Sequence, residues 1–273
     1  MDKMNILIVG TSSIFAKRLI SALESKKNYN TFLKKHNIED IFDKSGKYYS
    51  INSIDIDILI NISTLKKGLD SEIYYSNIIY PLRIIEKLNS NLLIINIDTT
   101  AYEYRYNSYS HSKKVFKDLL KIKKCKSINL RIEHIYGYYP SENITSYLIK
   151  KMIKNQDIDL SSGEQIRNFI YIDDAVSAII RCIENINQLN YNSTIDIASD
   201  DYISIKKLAN LIKKLIASKS TLNFDRIIID KNEFKPITFN NTILKRLEWE
   251  QKIGLVDGIK KEIDEVRNEI FKR

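Results

Sequence analysis

Tyr109-Ser110-His111-Ser112-Lys113 sets a tyrosine and a lysine four residues apart. On a helix this spacing puts both side chains on one face, one turn from each other. An ammonium beside a phenol stabilises the phenolate and lowers the tyrosine pKa, which yields an acid or base usable near neutral pH. The spacing alone carries little weight. A chain with 17 Tyr and many Lys is expected to hold about two such pairs by chance, and three occur: Tyr109/Lys113, Tyr147/Lys151 and Tyr202/Lys206. Position separates them, because only Tyr109 follows an apolar run, Leu92 to Ile97, that ends in the polar Asp98-Thr99-Thr100. Tyr147 and Tyr202 read as ordinary helix residues.

A second stretch that could bind a ligand is Gly10-Thr11-Ser12-Ser13-Ile14-Phe15-Ala16, directly after the apolar Asn5 to Val9. A glycine turn between a strand and a helix presents backbone N–H groups and the helix N-terminus to a pyrophosphate. In a chain with 7 Gly among 273 residues, each is expected where the backbone needs positive φ or a close approach. Gly10 fits the tight turn and Ala16 the helix packing position. Ser13 stands where a second glycine would serve best; its Cβ hinders close approach, although the hydroxyls of Thr11, Ser12 and Ser13 offer donors to phosphate. The segment is equally compatible with a plain strand-to-helix turn. If Tyr29 to Leu33 is the second strand, Lys34, Lys35 and His36 follow it with no acid until Glu39. An acid there would bond a ribose 2′-hydroxyl, whereas basic residues accommodate a 2′-phosphate, so NADP(H) is expected over NAD(H). The alternative is that these lysines are surface residues.

The elements that must position these groups alternate. Strand-like runs at Asn5 to Val9, Asp57 to Ile62, Leu92 to Ile97 and Ile128 to Ile135 are rich in Ile and Leu without strict alternation, as in a sheet buried on both faces. Helical periodicity fills the intervals near Ser71 to Leu88 and Tyr109 to Lys124. This predicts an α/β fold, a doubly wound parallel sheet of the Rossmann type, with ligand at the carboxyl ends of its strands. Helices are expected near Ile144 to Lys154, Asp173 to Asn185, Ser204 to Ala217 and Gly258 to Phe271, with strands at Asn168 to Ile172 and Arg226 to Ile229. The expected partition is 1–136 plus about 164–188 as the dinucleotide-binding part and 137–163 plus about 189–273 as a smaller mixed α/β substrate lobe.

Composition narrows the classes further. Cys125 and Cys182 form neither a disulfide framework nor a zinc site, and no metal centre is expected. The first residues are too short an apolar run for a signal peptide, and no run is long enough to span a membrane, so a cytoplasmic protein is expected. The net charge of +9 is concentrated in Lys113 to Lys126. There Val115, Phe116, Leu119 and Leu120 recur at helical spacing, so most of these lysines belong to a solvated helix face rather than to a nucleic-acid stripe.

Taken in order, the segments resemble the extended short-chain dehydrogenase/reductase family, the NAD-dependent epimerases, dehydratases and reductases of nucleotide sugars. Ile6 to Leu19 is similar to the family's first strand, turn and helix, and Asp57 to Ile62 to its fourth strand. Asn77 matches a family Asn, Tyr109 and Lys113 its catalytic pair, and Arg131 through Tyr136-Gly137 a segment in which His134 takes an Asn position. The most specific match is Gly163-Glu164-Gln165-Ile166-Arg167-Asn168-Phe169-Ile170-Tyr171-Ile172-Asp173-Asp174. The local pattern Asn96-Ile97-Asp98-Thr99 is most similar to the CDP-abequose/CDP-paratose synthase branch.

The resemblance implies that Tyr109 is the acid or base at a sugar hydroxyl or carbonyl, that Lys113 binds the nicotinamide ribose, and that Arg167 holds a pyrophosphate. For Arg167 a structural salt bridge to Asp173 or Asp174 is the alternative. Thr99 is expected to donate to the carbonyl, with Thr100 behind it and His134 toward substrate. The absence of a Glu after Asp98 argues against a 4,6-dehydratase. The implied activity is NAD(P)-dependent reduction of a nucleotide-linked 4-keto-6-deoxy sugar for surface polysaccharide. The alternatives are a nucleotide-sugar 4-epimerase with retained NAD and a non-catalytic dinucleotide-binding regulator. A homodimer through the Tyr109 helix is also implied, though that helix is unusually rich in lysine.

Overall fold

The computed structural model describes residues 3–34, 39–88, 91–137 and 143–271. It divides into two compact units, Met1–Arg131 with Ile179–Asp196 and Ile132–Ala178 with Ile197–Arg273.

In the first unit, the runs of Ile, Leu and Val form strands β1 (Met4–Val9), β2 (Tyr29–Lys34), β5 (Ile58–Asn61), β6 (Leu93–Thr99) and β7 (Lys126–Ile132). Two further strands, β3 (Asp40–Asp43) and β4 (Tyr48–Ser50), extend one edge, and β11 (Ser193–Asp196) closes the other. The order is β11-β7-β6-β5-β1-β2-β3-β4. β1 pairs in parallel with both β2 and β5, so the strand order reverses beside β1. In open α/β sheets that reversal opens a crevice at the carboxyl ends of the strands. The parallel strands are apolar because helices cover both faces; Ile6, Leu7, Ile8, Val9, Leu59 and Ile60 have no exposed surface. Three buried asparagines interrupt this core: Asn61 donates to Asn96 at 3.1 Å, and Asn96 donates to Asn129 at 2.9 Å. Each satisfies the next, and a one-residue slip would leave unpaired amides in the interior, so the chain of bonds pins the register of β5, β6 and β7.

Helix α1 (Ile14–Glu24) follows β1, and α2 (Asp70–Tyr74) and α3 (Tyr80–Ile85) flank a π-helical turn at Tyr75–Ile79. The helix expected near Ser71 to Leu88 therefore runs from Asp70 to Ile85 with a π-turn inside it, its backbone helical throughout. Helix α4 (Ser108–Ile122) starts at a reciprocal cap, in which the Asn107 side chain accepts from the Ser110 N–H at 2.9 Å and the Ser110 hydroxyl accepts from the Asn107 N–H at 3.1 Å. This cap fixes the first turn, which carries Tyr109.

The second unit holds β8 (His134–Tyr136), β9 (Ile158–Asp159), β10 (Ile166–Tyr171), β12 (Tyr202–Ser204) and β13 (Leu222–Asn223), in sheets ordered β12-β10-β8 and β13-β9. Its helices are α5 (Ile144–Ile153), α7 (Ile205–Ile216), α8 (Thr242–Arg246) and α9 (Leu255–Phe271), while α6 (Ile172–Glu184) runs across the division in the chain.

Three sequence expectations need correction. Ile128 to Ile135 is two strands, parted at Glu133, whose carboxylate turns aside to accept from the Asn168 N–H at 2.7 Å. Arg226 to Ile229 is not a strand: Ile228 is 98% exposed, and the N–H groups of Arg226 and Ile227 both go to the Leu160 carbonyl. The division also falls elsewhere than expected, because β10 pairs with β8 inside the second unit whereas β11 pairs with β7 in the large sheet.

Candidate active site

Gly10 ends β1 with φ of +92°, and a Cβ there would stand 2.5 Å from the Ser63 backbone nitrogen and 2.7 Å from the Ile62 carbonyl carbon. The glycine is thus demanded by conformation and by the backbone just beyond β5. Ser13, at the position expected to hinder a phosphate, is the N-cap of α1; its hydroxyl accepts from the Ala16 N–H at 3.1 Å. Ser12 and Ser13 are exposed, Thr11 and Ile14 half-buried, and the first turn of α1 carries no acid to repel an anion. The Ser63 hydroxyl beside Gly10 is buried without a partner among the described residues.

Lys34 is the last residue of β2, opposite Val9. It is no surface lysine: it is 2% exposed, donates to the Asp40 carbonyl at 2.6 Å, and burial pushes its pKa down to about 8. Lys35 lies outside the described residues.

β6 and α4 bring Thr99, Tyr109 and Lys113 together. The hydroxyls of Thr99 and Thr64 lie toward the Tyr109 phenol and favour its phenolate. Its pKa lies above the ordinary value because burial outweighs both. This is opposite to the direction expected from the Tyr/Lys spacing, and the geometry explains why. Lys113 is 3% exposed and donates to the Ile97 carbonyl at 2.6 Å, with its own pKa pushed down to about 8 by burial. The Thr100 hydroxyl is fully buried and unpartnered among the described residues.

Sequence reasoning missed Thr64 and Lys66, which reach this cluster from the segment after β5. The Lys66 ammonium lies 6.0 Å from the centre of the Tyr109 ring. Asn77, noted only as a family match, holds that segment in place. Its side chain accepts from the Leu65 N–H at 2.6 Å, donates to the Leu65 carbonyl at 3.0 Å, and donates to the Ser112 hydroxyl on α4 at 2.9 Å. No local pattern marks this staple, since it joins three separate parts of the chain.

In the second unit, His134 stacks on Phe169, with ring centroids 5.0 Å apart and planes at 18°. Arg167 is 3% exposed and its guanidinium is turned inward. Its Nε lies 3.3 Å from the Glu133 carboxylate, one Nη donates to the Ile166 carbonyl at 2.8 Å, and the other donates to the Glu233 carbonyl. The foreseen salt bridge to Asp173 or Asp174 is replaced by one to Glu133. Asp174 instead accepts from the N–H groups of Lys252 and Ile253.

A mostly parallel sheet with a glycine turn after its first strand, and a tyrosine on α4 near the end of β6, define a Rossmann-type dehydrogenase/reductase. Residues 94–198 match the NAD dependent epimerase/dehydratase family. Over 288 aligned positions the chain is 30% identical to the CDP-abequose synthase of Salmonella muenchen, covering 94% of this chain and 96% of that one. The chain belongs to this family of NAD-dependent enzymes, the extended short-chain dehydrogenase/reductases. Its fold matches UDP-glucuronic acid 4-epimerase from Bacillus cereus, in complex with UDP-glucuronic acid and NAD, at a TM-score of 0.79 and 17% identity, over 97% of this chain and 99% of that one. It also matches RMD from Pseudomonas aeruginosa, complexed with NADPH, at 0.78 and 11%, over 98% and 100%.

A nicotinamide dinucleotide fits the residues present. The acid-free N-terminus of α1 and the turn at Gly10 suit its pyrophosphate, and the Ser63 hydroxyl beside that turn has no partner among the described residues. Among the described residues no helix is long and apolar enough to cross a membrane.

Proposed function

We propose that the protein is a cytoplasmic, NADP(H)-dependent reductase of a nucleotide-linked 4-keto-6-deoxy sugar. The observation that carries the reading is the placing of Tyr109, half-buried on the first turn of α4, near Thr99 at the end of β6 with the buried Lys113 one turn further on; its phenol is protonated at neutral pH. An acid that must protonate a carbonyl oxygen works from its protonated state. Tyr109 gives its proton to the oxygen that becomes the new hydroxyl, and Thr99 orients that oxygen. Lys113, buried and held by the Ile97 carbonyl one turn along the helix, would bind the nicotinamide ribose. The bound dinucleotide supplies the hydride.

In this reading the unit with the large sheet takes the dinucleotide and the other takes the sugar nucleotide. The 30% identity to a CDP-abequose synthase favours a CDP-linked substrate. NADP(H) is favoured by a lysine, not an acid, at the end of β2. One observation favours a second reading, a 4-epimerase with retained NAD: the Lys34 ammonium is spent on the Asp40 carbonyl rather than turned toward a phosphate. CDP-, dTDP-, GDP- and UDP-linked keto sugars incubated with NADPH or NADH decide between the two. Stoichiometric oxidation of NADPH is expected; conversion without net oxidation would establish the epimerase instead.

A further inference from the structure

Next to the Tyr109 cluster lies a second polar cluster that the proposed chemistry does not use. Asp98, the residue before Thr99, has no exposed side-chain surface. One of its oxygens accepts from the Thr99 N–H at 2.8 Å. The other accepts from the Tyr102 hydroxyl at 2.9 Å and lies 3.2 Å from the Lys117 ammonium. Lys117 also donates to the Tyr102 hydroxyl at 2.9 Å, which closes a triangle. Helix α4 thus sends two lysines, one turn apart, to the end of β6: Lys113 to the Ile97 carbonyl and Lys117 to Asp98. Apolar side chains would pack β6 on α4 at least as well, because a buried ion pair gains little stability over them. What the pair adds is direction and charge at the residue that carries the Thr99 hydroxyl.

We propose that Asp98 is a positioning residue for Tyr109: held by Lys117 and Tyr102, it fixes the Thr99 backbone and sets the charge balance around Tyr109 and Lys113. The inference deepens the reading of Tyr109 as the acid and rests on it. The charged and titratable groups around Asp98 are Tyr102, Lys117, Lys113 and Tyr109, with Glu103 and Arg131 beyond Tyr102, and Arg105 and Lys66 beyond Tyr109 and Lys113. Within this set the Asp98 charge raises the pKa of both Tyr109 and Lys113. Asp98→Asn removes that charge and leaves Lys117 uncompensated, and both changes favour the Tyr109 phenolate.

The test is an alkaline titration followed by the ultraviolet absorbance of phenolate. Each protein is measured against the same protein carrying Tyr109→Phe, so the difference isolates Tyr109 without substrate or cofactor. Asp98→Asn is expected to move the Tyr109 midpoint down by about one pH unit. The double variant Asp98→Asn/Lys117→Met, which removes no net charge, is expected to bring it back toward wild type. Should Asp98→Asn fail to fold, Lys117→Met alone is expected to move the midpoint upward. A purely structural Asp98 would lower the melting temperature and leave these midpoints where they are, and that result overturns the inference. Because the titration needs no turnover, an inactive wild-type enzyme would count against the reductase reading alone. An unchanged midpoint in an active enzyme would count against Asp98 alone.

Discussion

Two places in the molecule carry a motif that sequence assigns to ligand, and they fold in opposite ways. At the end of β6, Tyr109 lies near the hydroxyls of Thr99 and Thr64, with Lys113 buried one turn along the helix. At β10, Arg167 stands in the most specific family match of the chain, yet its guanidinium is turned inward onto Glu133 and three backbone carbonyls. A motif reports that residue types are needed at a spacing. Whether they serve a ligand or the fold is decided by what else can satisfy them, and a guanidinium that meets a carboxylate inside the protein has its demand met. The Tyr109 phenol has the Thr99 and Thr64 hydroxyls and the Lys66 ammonium around it, and burial still holds its pKa above the ordinary value, so it keeps a proton to give.

Substitutions can break this comparison from either side. Tyr109→Phe removes the proton donor and is expected to lower kcat by about 10²- to 10⁴-fold, with the urea midpoint unchanged; a rate within a few fold of wild type would take Tyr109 out of the chemistry. Arg167→Met should do the reverse. It leaves the Glu133 carboxylate, 1% exposed, without its cation, and removing one partner of a buried pair costs about 3–5 kcal/mol. Urea unfolding measures that loss, and Arg167→Met/Glu133→Gln should recover part of it. If Arg167 held the substrate's pyrophosphate, KM would rise while stability stayed the same. A smaller effect separates the two hydroxyls on Tyr109. Thr99→Val is expected to lower kcat by about 10-fold, the worth of one well-placed hydrogen bond, and Thr64→Val by less, since Thr64 is exposed and water can replace it. Equal losses would show that both act on Tyr109 rather than Thr99 on substrate.

The large sheet was legible because its strands are apolar runs whose order alone fixes a doubly wound topology, and Gly10 because a glycine-poor chain kept it at the end of one of them. Tyr109 was legible through position: it follows Asp98-Thr99-Thr100, and no other Tyr/Lys pair does. What stayed hidden depends on contacts between distant segments. Thr64 and Lys66 reach Tyr109 only because Asn77 ties their segment to α4. The direction of the Tyr109 shift was misread because spacing shows that Lys113 shares its helix face, not that its ammonium is drawn to Ile97. The partner of Arg167 stayed hidden because Glu133 comes from a break between two strands that the sequence reads as one. β3 and β4 were missed as a short polar edge, and Arg226 to Ile229 was overread because apolar residues without a neighbouring strand remain exposed loop.

The comparison has a milder third case in the second unit, where a buried acid is held, among the described residues, by hydroxyls and a peptide N–H rather than by a cation as Glu133 is. Glu262 on α9 is fully buried, accepts from the hydroxyls of Ser146 and Thr145 at 2.5 and 3.1 Å, and takes the Gly137 N–H as well. Burial prevails over these bonds and pushes its pKa up to about 7 from 4.5. The sign follows from proton counting. Below both values the carboxyl is protonated in folded and unfolded chain alike, and it adds no pH dependence. Between them the unfolded chain releases a proton that the folded one keeps, so stability falls as pH rises from about 4.5 to about 7 and levels off above that. Glu262→Gln has no proton to release. The difference between wild type and this variant, measured by urea unfolding across that window, should therefore change by up to about 1.4 kcal/mol per pH unit, with the variant gaining on wild type as pH rises. A difference that is flat with pH would mean that Glu262 is ionised throughout, and that its hydroxyl and peptide partners alone do for it what Lys117 does for Asp98.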